Sequence, residues 1–462
     1  ITLFWKGKLL KSGKRTKIEK DYINVVNKLT SRSNFEKNGQ ILKDENWKIT
    51  HIRQYLDQNQ NFDKRYTIHI AGSKGKGSTA HFINGIFLKS KKNIYLFTSP
   101  DLHSVTERIV INGYPISKKL FTRIAKKYVD NKLFDQWSYF ELLTLIGWKA
   151  AEKTNCEWQI IETGLGGRLD ATNAMTKKIV NVITPIDYEH TEILGQTIQK
   201  IAKEKIGIVK YKEDVIIAKM PKFRSKIIEQ NVDLLEATSH RIITDCKIKY
   251  KQQTIDYQIV DIETPLKKYE NIQLNAIGKH QAENAASAIR ACEIAWQKVY
   301  KKQLPYQYVK DGLLQVQIPG RIEKVSENPL IILDGMHSEL SAKRLNETLT
   351  EIKLPKKRVV IFGSLQNKKI DLIAKQICNE KTEIIITQPK STRAMSINKL
   401  KNIFAKYTSS IDTQINLNNA LESALEKVSK DQYILITGSI YLISEAREKI
   451  LSIDGDRELN LR

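Results

Sequence analysis

Short apolar runs alternate with longer stretches of helical periodicity through the middle of the chain. The apolar runs predict strands at 68–71, 94–98, 158–162 and 179–183. The stretches between them predict helices at 79–89, 121–129 and 140–151. This alternation is typical of βαβ units around a mostly parallel sheet, in which ligands bind beyond the carboxyl ends of the strands.

The alternation restarts after an alanine-rich helical stretch at 278–298. It predicts a smaller, Rossmann-like sheet with strands at 330–333, 359–362, 383–387 and 433–437. The residues before 63 are polar, apart from an amphipathic helix predicted around 22–29 and a basic leader that precedes it. We therefore expect an α/β protein with two domains, which span 1–317 and 318–462.

Composition narrows the class of protein. The chain has 462 residues, of which 41% are hydrophobic and 27% charged, as in an ordinary globular protein. No apolar stretch reaches the length of a membrane span, and Lys6 interrupts the apolar opening too early for a signal peptide. Four widely spaced cysteines without a Cys-x-x-Cys pair indicate neither a zinc site nor a disulfide framework. We expect a cytoplasmic protein with no membrane partner.

The charge of the chain is strongly positive. Its 76 Lys and Arg residues against 51 Asp and Glu residues give a net charge of +25, which would attract nucleic acid, ATP or a polycarboxylate. The basic residues are spread along the chain, and no basic tract is interleaved with aromatic residues. A general surface bias explains this distribution better than a nucleic-acid partner does.

A glycine-rich segment follows the first predicted strand and opens the first predicted helix. It reads Gly72-Ser73-Lys74-Gly75-Lys76-Gly77-Ser78. Its glycines let successive backbone N–H groups face one anion, and the start of the helix adds positive partial charge. Lys76 can reach the β- and γ-phosphates, and Ser78 can offer a hydroxyl to Mg²⁺. The segment differs in spacing from the common Gly-x4-Gly-Lys-Ser/Thr loop, but it still predicts ATP as the ligand.

Further polar segments lie at the predicted strand ends. Glu162 ends an apolar strand and is followed by glycines, Arg168 and Asp170, and its carboxylate suits Mg²⁺. His190 follows the next strand. In the second domain, Pro319-Gly320-Arg321 precedes the segment from Asp334 to Ser338, so that domain closure could bring an Arg, an Asp and a His to the nucleotide.

These residues predict an ATP-dependent enzyme with a cleft between two α/β domains. Such a site activates an acceptor by phosphoryl transfer, mainly through positioning and charge neutralisation. The residues alone leave the acceptor open.

Several segments, in order along the chain, resemble one known family. They are 72–78; Thr98-Ser99-Pro100 with Glu107-Arg108-Ile109; 139–141; the run from Glu162 to Asn173; His190-Thr191 with Leu194-Gly195; His280-Gln281 with 284–286; 319–321; and 437–439. Together they are similar to folylpolyglutamate synthase/dihydrofolate synthase, a family of the Mur ligase superfamily. The resemblance runs from about Tyr66 to Arg447.

The resemblance implies an amide ligase of folate biosynthesis and one-carbon metabolism. ATP would phosphorylate a folate or dihydropteroate carboxylate, and L-glutamate would attack the acyl phosphate. The implied cofactors are ATP and Mg²⁺, with a second Mg²⁺ or K⁺ as a further candidate, and we expect a monomer.

The resemblance also implies roles for individual residues. The implied catalytic residues are Lys76, His190 and Lys205, and Lys205 matches a lysine that the superfamily often carbamylates. The implied metal ligands are Ser78, Ser99, Glu162 and His190. The implied nucleotide contacts, besides 72–78, are Asn284, Arg321 and Asp334, and the implied substrate contacts are Arg168, Asp170, His337 and Ser439.

Three positions differ from the family pattern. Asp101 replaces a histidine, Glu189 replaces an aspartate, and Met336-His337-Ser338 replaces Ala-His-Asn. Two alternatives stay open: another Mur-type amino-acid ligase, and a non-catalytic P-loop protein that binds ATP or nucleic acid. The intact run from Glu162 to Asn173 argues against the first, and the number of separate catalytic-type segments argues against the second.

Overall fold

The residues that the structure describes fold around three β-sheets. The computed structural model describes residues 15–33, 49–59, 65–175, 177–366, 368–379, 381–457, 459 and 461. Within this part of the chain, the first sheet has eight strands in the order β4-β3-β2-β5-β1-β6-β7-β8. Its strands are β1 Tyr66–Ala71, β2 Ile94–Phe97, β3 Ile109–Ile111, β4 Tyr114–Pro115, β5 Trp158–Glu162, β6 Val180–Ile183, β7 Asp214–Ile217 and β8 Thr238–Arg241.

In the first sheet, strands β2, β5, β1, β6, β7 and β8 run parallel to one another. At one edge, β3 is antiparallel to β2 and β4 is antiparallel to β3. Its central strands are buried on both faces because helices cover both sides, which is why they read as continuous apolar runs. The helices of this part are Lys17–Thr30, Thr50–Gln58, Lys76–Leu88, Lys118–Val129, Tyr139–Lys153, Thr191–Leu194, Ile198–Ile206, Lys222–Asp233, Ile242–Asp245, Lys279–Tyr300 and Tyr306–Leu314.

Two further sheets follow. A three-stranded antiparallel sheet consists of β9 Lys247–Gln253, β10 Gln258–Glu263 and β11 Lys268–Leu274. A six-stranded sheet has the order β12-β13-β17-β14-β15-β16 and is parallel except at β12. Its strands are β12 Glu323–Glu327, β13 Leu330–Asp334, β14 Arg358–Phe362, β15 Thr382–Ile386, β16 Ile411–Thr413 and β17 Tyr433–Thr437, and its helices are Glu339–Glu351, Ile370–Ile377, Ile397–Phe404, Leu417–Lys427 and Ile440–Leu451.

The predicted α/β fold class is confirmed, and every strand predicted from the apolar runs is present. The predicted N-terminal helix is also present as Lys17–Thr30, which begins with a capping box between Thr16 and Glu19. The three-stranded sheet was not predicted. Its strand β9 is mostly exposed and rich in Lys and Gln, so it carries no continuous apolar run.

Two predictions are not tested by these elements. The basic leader lies largely outside the described residues, and the domain boundary near 318 stays a prediction. No helix in the described ranges combines the length and apolar character needed to cross a membrane.

Candidate active site

The glycine-rich segment lies between β1 and the helix Lys76–Leu88. Gly75 precedes the helix with φ 88°, a left-handed conformation, and no side chain caps the helix start. The backbone N–H groups of Ser73 and Lys74 donate to the carbonyl of Pro185 at 3.0 and 3.1 Å, which fixes the loop on the neighbouring strand end. An uncapped helix start next to a left-handed glycine leaves backbone donors available for an anion.

Gly75 also lies against a distant helix. A Cβ atom at Gly75 would come within 2.6 Å of Asn284 Oδ1, in the helix Lys279–Tyr300. Asn284 in turn donates through Nδ2 to Gln281 Oε1 at 3.0 Å. The amide is therefore fixed beside the loop, where the sequence predicted a nucleotide contact.

Glu162 is the last residue of β5, and its carboxylate lies next to the glycine-rich segment. Glu162 is 3% exposed, accepts a hydrogen bond from the Ser99 N–H at 3.0 Å, and lies 4.0 Å from Lys76 Nζ. Burial raises its pKa to about 7, against the opposing effect of Lys76. A Cβ atom at Gly77 would lie 3.5 Å from Glu162 Oε2, an ordinary contact distance, so the carboxylate lies directly beside the start of the helix.

The oxygen donors around Glu162 fit a hard cation. Ser78 is buried in the first turn of the helix, and Ser99 is fixed to Glu162 through its backbone. The described residues contain no cluster of three or more His, Cys, Asp or Glu side chains that could hold a metal. One carboxylate with hydroxyl groups suits Mg²⁺, which usually keeps water and substrate phosphate oxygens among its ligands.

Lys205 lies behind the glycine-rich segment. Its side chain is 1% exposed, and Nζ donates to the carbonyl of Gly72 at 2.9 Å and to Glu189 Oε1 at 2.7 Å. Burial lowers the pKa of Lys205 to about 8, although Glu189 opposes this shift. Burial raises the pKa of Glu189, but the Lys205 ammonium and the neighbouring lysines outweigh this and hold it at about 2. The two groups therefore form a buried ion pair at neutral pH.

His190 begins the short helix Thr191–Leu194 with a left-handed φ of 47°. Its side chain is 41% exposed, and Nδ1 lies 4.0 Å from Glu192 Oε1. Asp170 is buried, and its carboxylate accepts the N–H groups of Leu165 at 2.8 Å and Thr172 at 3.0 Å, so it shapes the loop after β5.

Arg168 has a different environment. It pairs with Glu204 at 2.9 Å, and it does not line the cavity described below. Its substrate contact stays a prediction that this geometry does not support.

The C-terminal domain contributes the opposite wall of the site. Asp334 ends β13 and accepts the N–H groups of Ile322 at 3.0 Å and Met336 at 2.9 Å. Burial raises the pKa of Asp334 to about 6, while Arg321 opposes this rise. The carboxylate therefore joins the turn before β12 to the end of β13.

His337 and Ser439 follow the ends of β13 and β17. His337 Nδ1 donates to the carbonyl of Gly335 at 3.1 Å, and Nε2 faces Lys74 Nζ across the site at 3.5 Å. Burial lowers the pKa of His337 well below its ordinary value, so the ring is neutral. Ser439 caps the helix Ile440–Leu451 by accepting the Leu442 N–H at 3.2 Å.

One cavity of about 4030 Å³ joins these walls. The predicted site residues that line it are Ser73, Lys74, Gly75, Lys76, Gly77, Ser78, Ser99, Glu162, Asp170, His190, Asn284, Arg321, Asp334, His337 and Ser439. Gly72, Arg168 and Lys205 do not line it, although Gly72 and Lys205 support the loop from behind.

The cavity also contains residues that the sequence analysis gave no role. Lys368 and Arg393 follow the ends of β14 and β15, and Arg344 lies on the helix Glu339–Glu351. His280 lines the cavity from the start of the helix Lys279–Tyr300, and burial lowers its pKa to about 3. The strand-end rule could have identified Lys368 and Arg393, since both follow predicted strands.

Comparison with known proteins gives a consistent result. Residues 70–292 match the Mur ligase middle domain, and residues 320–440 match the Mur ligase glutamate ligase domain. The chain is 30% identical to a dihydrofolate synthase/folylpolyglutamate synthase of Bacillus subtilis over 393 residues, which covers 83% of this chain and 90% of that protein. It is 29% identical to a folylpolyglutamate synthase of Lacticaseibacillus casei, with 83% and 90% covered.

A solved structure agrees with these relatives. The Mycobacterium tuberculosis folylpolyglutamate synthase complexed with ADP superposes with a TM-score of 0.83 at 25% identity, and covers 94% of this chain and 99% of that chain. With the glycine-rich segment, the buried Glu162 and the two-walled cavity in place, the chain belongs to the folylpolyglutamate synthase/dihydrofolate synthase family of Mur-type ligases.

Proposed function

We propose that the protein joins L-glutamate to a carboxylate of folate, dihydropteroate or both. In the first step, a carboxylate oxygen of the acceptor attacks the γ-phosphorus of ATP, which releases ADP and forms an acyl phosphate. In the second step, the glutamate amine attacks the acyl carbon, the carbon–oxygen bond to phosphate breaks, and the amine loses a proton. The products are an amide, ADP and phosphate.

The observation that carries this proposal is one cavity with a phosphate-binding segment on one wall and Arg321, Asp334 and His337 on the other. A protein that only bound ATP would need the glycine-rich segment and the nucleotide contacts Arg321 and Asp334, but not the further part of the cavity lined by His337 and Ser439. Acyl transfer to an amine needs a second substrate held against the activated carboxylate. The glycine-rich segment would hold the activating ATP, and the part of the cavity lined by His337 and Ser439 would hold the second substrate.

The glycine-rich segment would hold the triphosphate. Lys76 Nζ lies 3.1 Å from the Gly72 carbonyl, so its charge is folded over the loop where the phosphates would lie. We assign Ser78, Ser99, Glu162 and His190 as the groups that would hold Mg²⁺. Bound there, Mg²⁺ would neutralise charge on the phosphate oxygens. Asn284, Arg321 and Asp334 would contact the nucleotide.

The C-terminal wall would hold glutamate. The neutral His337 ring presents Nε2 as an acceptor, since Nδ1 is used by Gly335. That nitrogen now lies 3.5 Å from Lys74 Nζ, and it could accept a hydrogen bond from the glutamate amine in place of Lys74; Ser439 lies at the same wall. Asp170 lines the cavity on the acceptor side.

The burial of Lys205 also supports the proposal. An amine must be neutral to react with CO₂, and burial lowers the pKa of Lys205 to about 8. Carbamylation would convert the cation into a carboxylate beside the glycine-rich segment. The Lys205 side chain would then leave its bonds to Gly72 and Glu189.

The domain assignment follows from the same division of roles. We propose that 1–317 phosphorylates the acceptor and that 318–462 presents glutamate to it. We further propose a cytoplasmic protein, since ATP, folate and glutamate are small intracellular anions. We also propose a monomer, which light scattering tests.

Transfer of labelled L-glutamate tests the function. The full chain would be incubated with Mg-ATP and either dihydropteroate or tetrahydrofolate, with reactions lacking acceptor as controls. Product from dihydropteroate alone indicates dihydrofolate synthase, product from tetrahydrofolate alone indicates polyglutamate synthase, and both indicate a bifunctional enzyme. No product from either acceptor, with nucleotide still bound, would refute the proposal.

A further inference from the structure

The loop after β2 connects the Glu162 site to the C-terminal domain. At its start, the Ser99 N–H donates to Glu162 at 3.0 Å. Farther along, Glu107 Oε2 accepts the N–H groups of Leu102 at 2.8 Å and His103 at 3.1 Å. Glu107 therefore fixes the backbone at 102–103, which the chain joins to Ser99 through two residues.

The helix Ile440–Leu451 of the C-terminal domain holds this loop at its other end. Ser444 donates to the carbonyl of Leu102. His103 is 4% exposed, and both ring nitrogens are used: Nδ1 lies 3.0 Å from Glu448 Oε1, and Nε2 lies 2.8 Å from Arg447 Nη1. The tautomer that satisfies both donates from Nδ1 and accepts at Nε2.

The polypeptide that follows this helix reinforces the contact. The Asp456 N–H donates to the carbonyl of His103 at 2.8 Å. The Asp456 carboxylate, 2% exposed, accepts the Val105 N–H at 3.0 Å and the Tyr22 hydroxyl at 3.0 Å. Two separate parts of the C-terminal domain therefore contact the same loop.

Arg447 extends the contact to the nucleotide side of the C-terminal domain. Its Nε donates to the Glu323 carboxylate at 2.9 and 3.0 Å. Glu323 Oε2 accepts the Gly320 N–H at 2.7 Å, immediately before Arg321. Polar contacts thus join Glu162 to the start of the loop, and a second series runs from His103 in the same loop through Arg447 and Glu323 to the Arg321 turn.

We propose that His103, Arg447 and Glu323 are positioning residues, here called the seam triad, that couple docking of the C-terminal domain to the geometry at both Glu162 and Arg321. The proposal rests on the proposed function for its catalytic readout. None of the three residues needs to touch substrate. They would fix the positions of the Ser99 loop and the Arg321 turn at the same time. Both walls of the cavity would then have their functional geometry only when the C-terminal domain is docked on this loop.

Arginine suits this role better than lysine. The planar guanidinium of Arg447 reaches His103 through Nη1 and Glu323 through Nε at the same time. A lysine is a point charge on a flexible stem and can serve only one of the two partners well. A misplacement of about 1 Å in a catalytic group can cost on the order of a hundredfold in rate.

The experiment compares Arg447→Lys with Arg358→Lys as a matched control. Arg358 is 4% exposed in β14 and donates to Ile377 O at 2.6 Å and to Asn346 at 3.1 Å, and these partners lie outside the seam triad. In the full chain, kcat, KM, affinity for an ATP analogue and the urea midpoint would be measured. We expect kcat to fall at least about tenfold in Arg447→Lys, and affinity for the analogue to fall as well, because the Arg321 turn is assigned to the nucleotide.

The control separates coupling from lost stability. Arg358→Lys should lower the urea midpoint and leave kcat within about twofold of wild type, because its partners do not reach the cavity walls.

Adding Glu323→Gln to Arg447→Lys should reduce kcat less than Glu323→Gln does in the wild-type chain. His103→Leu is the second single variant; it removes both the donor and the acceptor and should follow Arg447→Lys. Unchanged kcat in both Arg447→Lys and the His103 variant would overturn the coupling. A loss of kcat in Arg358→Lys as large as that in Arg447→Lys would overturn it too, as would additive effects of Arg447→Lys and Glu323→Gln on kcat.

Hydrogen exchange gives a readout that does not depend on the acceptor. Arg447→Lys should speed amide exchange both at 102–105 and at 320–322, and Arg358→Lys should speed neither. If wild type transfers no glutamate, the proposed function fails, and this exchange pattern still decides the coupling. Exchange unchanged at either segment in Arg447→Lys would overturn it.

Discussion

Replacing Glu162 by Gln should stabilise the nucleotide-free protein at high pH while it removes ligase activity. The amide keeps the size of the side chain and can still accept the Ser99 N–H, which now lies 3.0 Å from the carboxylate. It cannot ionise. The variant therefore isolates the free energy of burying a negative charge at a residue that is 3% exposed.

The magnitude follows from the pKa of Glu162. Burial raises it from 4.5 to about 7. A raised pKa contributes stability below the unfolded value, and this contribution is lost as the pH rises through the folded value. Between pH 5 and pH 8 the wild-type protein should therefore lose roughly 2 to 3 kcal/mol of stability relative to Glu162→Gln.

Urea denaturation of both proteins at pH 5, 6, 7 and 8, with a chelator present, measures this difference. Glu347→Gln, at a side chain that is 56% exposed, is the control and should show no such trend. Mg-ADP should then stabilise the wild type more than the variant. A difference in stability that stays constant with pH, or a variant less stable than wild type at pH 8, would refute the reasoning.

The remaining predictions concern the phosphate-binding wall. Lys76→Ala should lower kcat by at least about a hundredfold, because the lost charge acts on phosphate; near-normal turnover would contradict the assignment. Lys205→Ala should lower activity, and small carboxylates should partly restore it if the lysine is carbamylated; full activity without them would exclude a catalytic Lys205. Gly75→Ala should weaken binding of an ATP analogue, since its φ is 88° and its Cβ would meet Asn284 Oδ1 at 2.6 Å; calorimetry showing unchanged affinity would count against this geometry.

Local patterns explain most of what the sequence could predict. The strands of both parallel sheets are continuous apolar runs because helices cover them on both faces, so a residue-by-residue reading identifies them. The glycine-rich segment is equally local, since its conformation depends on Gly75 itself. The family resemblance, confirmed by the relatives, rests on such short segments.

Contacts between distant residues could not be predicted in this way. Arg447 meets His103 across 344 positions, and nothing around either residue indicates the other. Asp170 was assigned to the substrate, yet its carboxylate accepts backbone N–H groups of its own loop, which is the ordinary requirement of a buried turn. Strand β9 escaped prediction because its exposed face is polar. Each of these features depends on the contacts that the residues make in the folded chain, and a local sequence pattern does not give those contacts.

Formation of the acyl phosphate is the step on which the proposed function depends. An acceptor labelled with ¹⁸O in the reacting carboxylate would be incubated with the full chain, Mg-ATP and L-glutamate, and the released phosphate would be analysed by mass spectrometry. We expect one carboxylate oxygen to appear in each phosphate, because the carbon–oxygen bond breaks when the amine attacks. Amide product accompanied by unlabelled phosphate would contradict an acyl phosphate and the role assigned to both walls of the cavity.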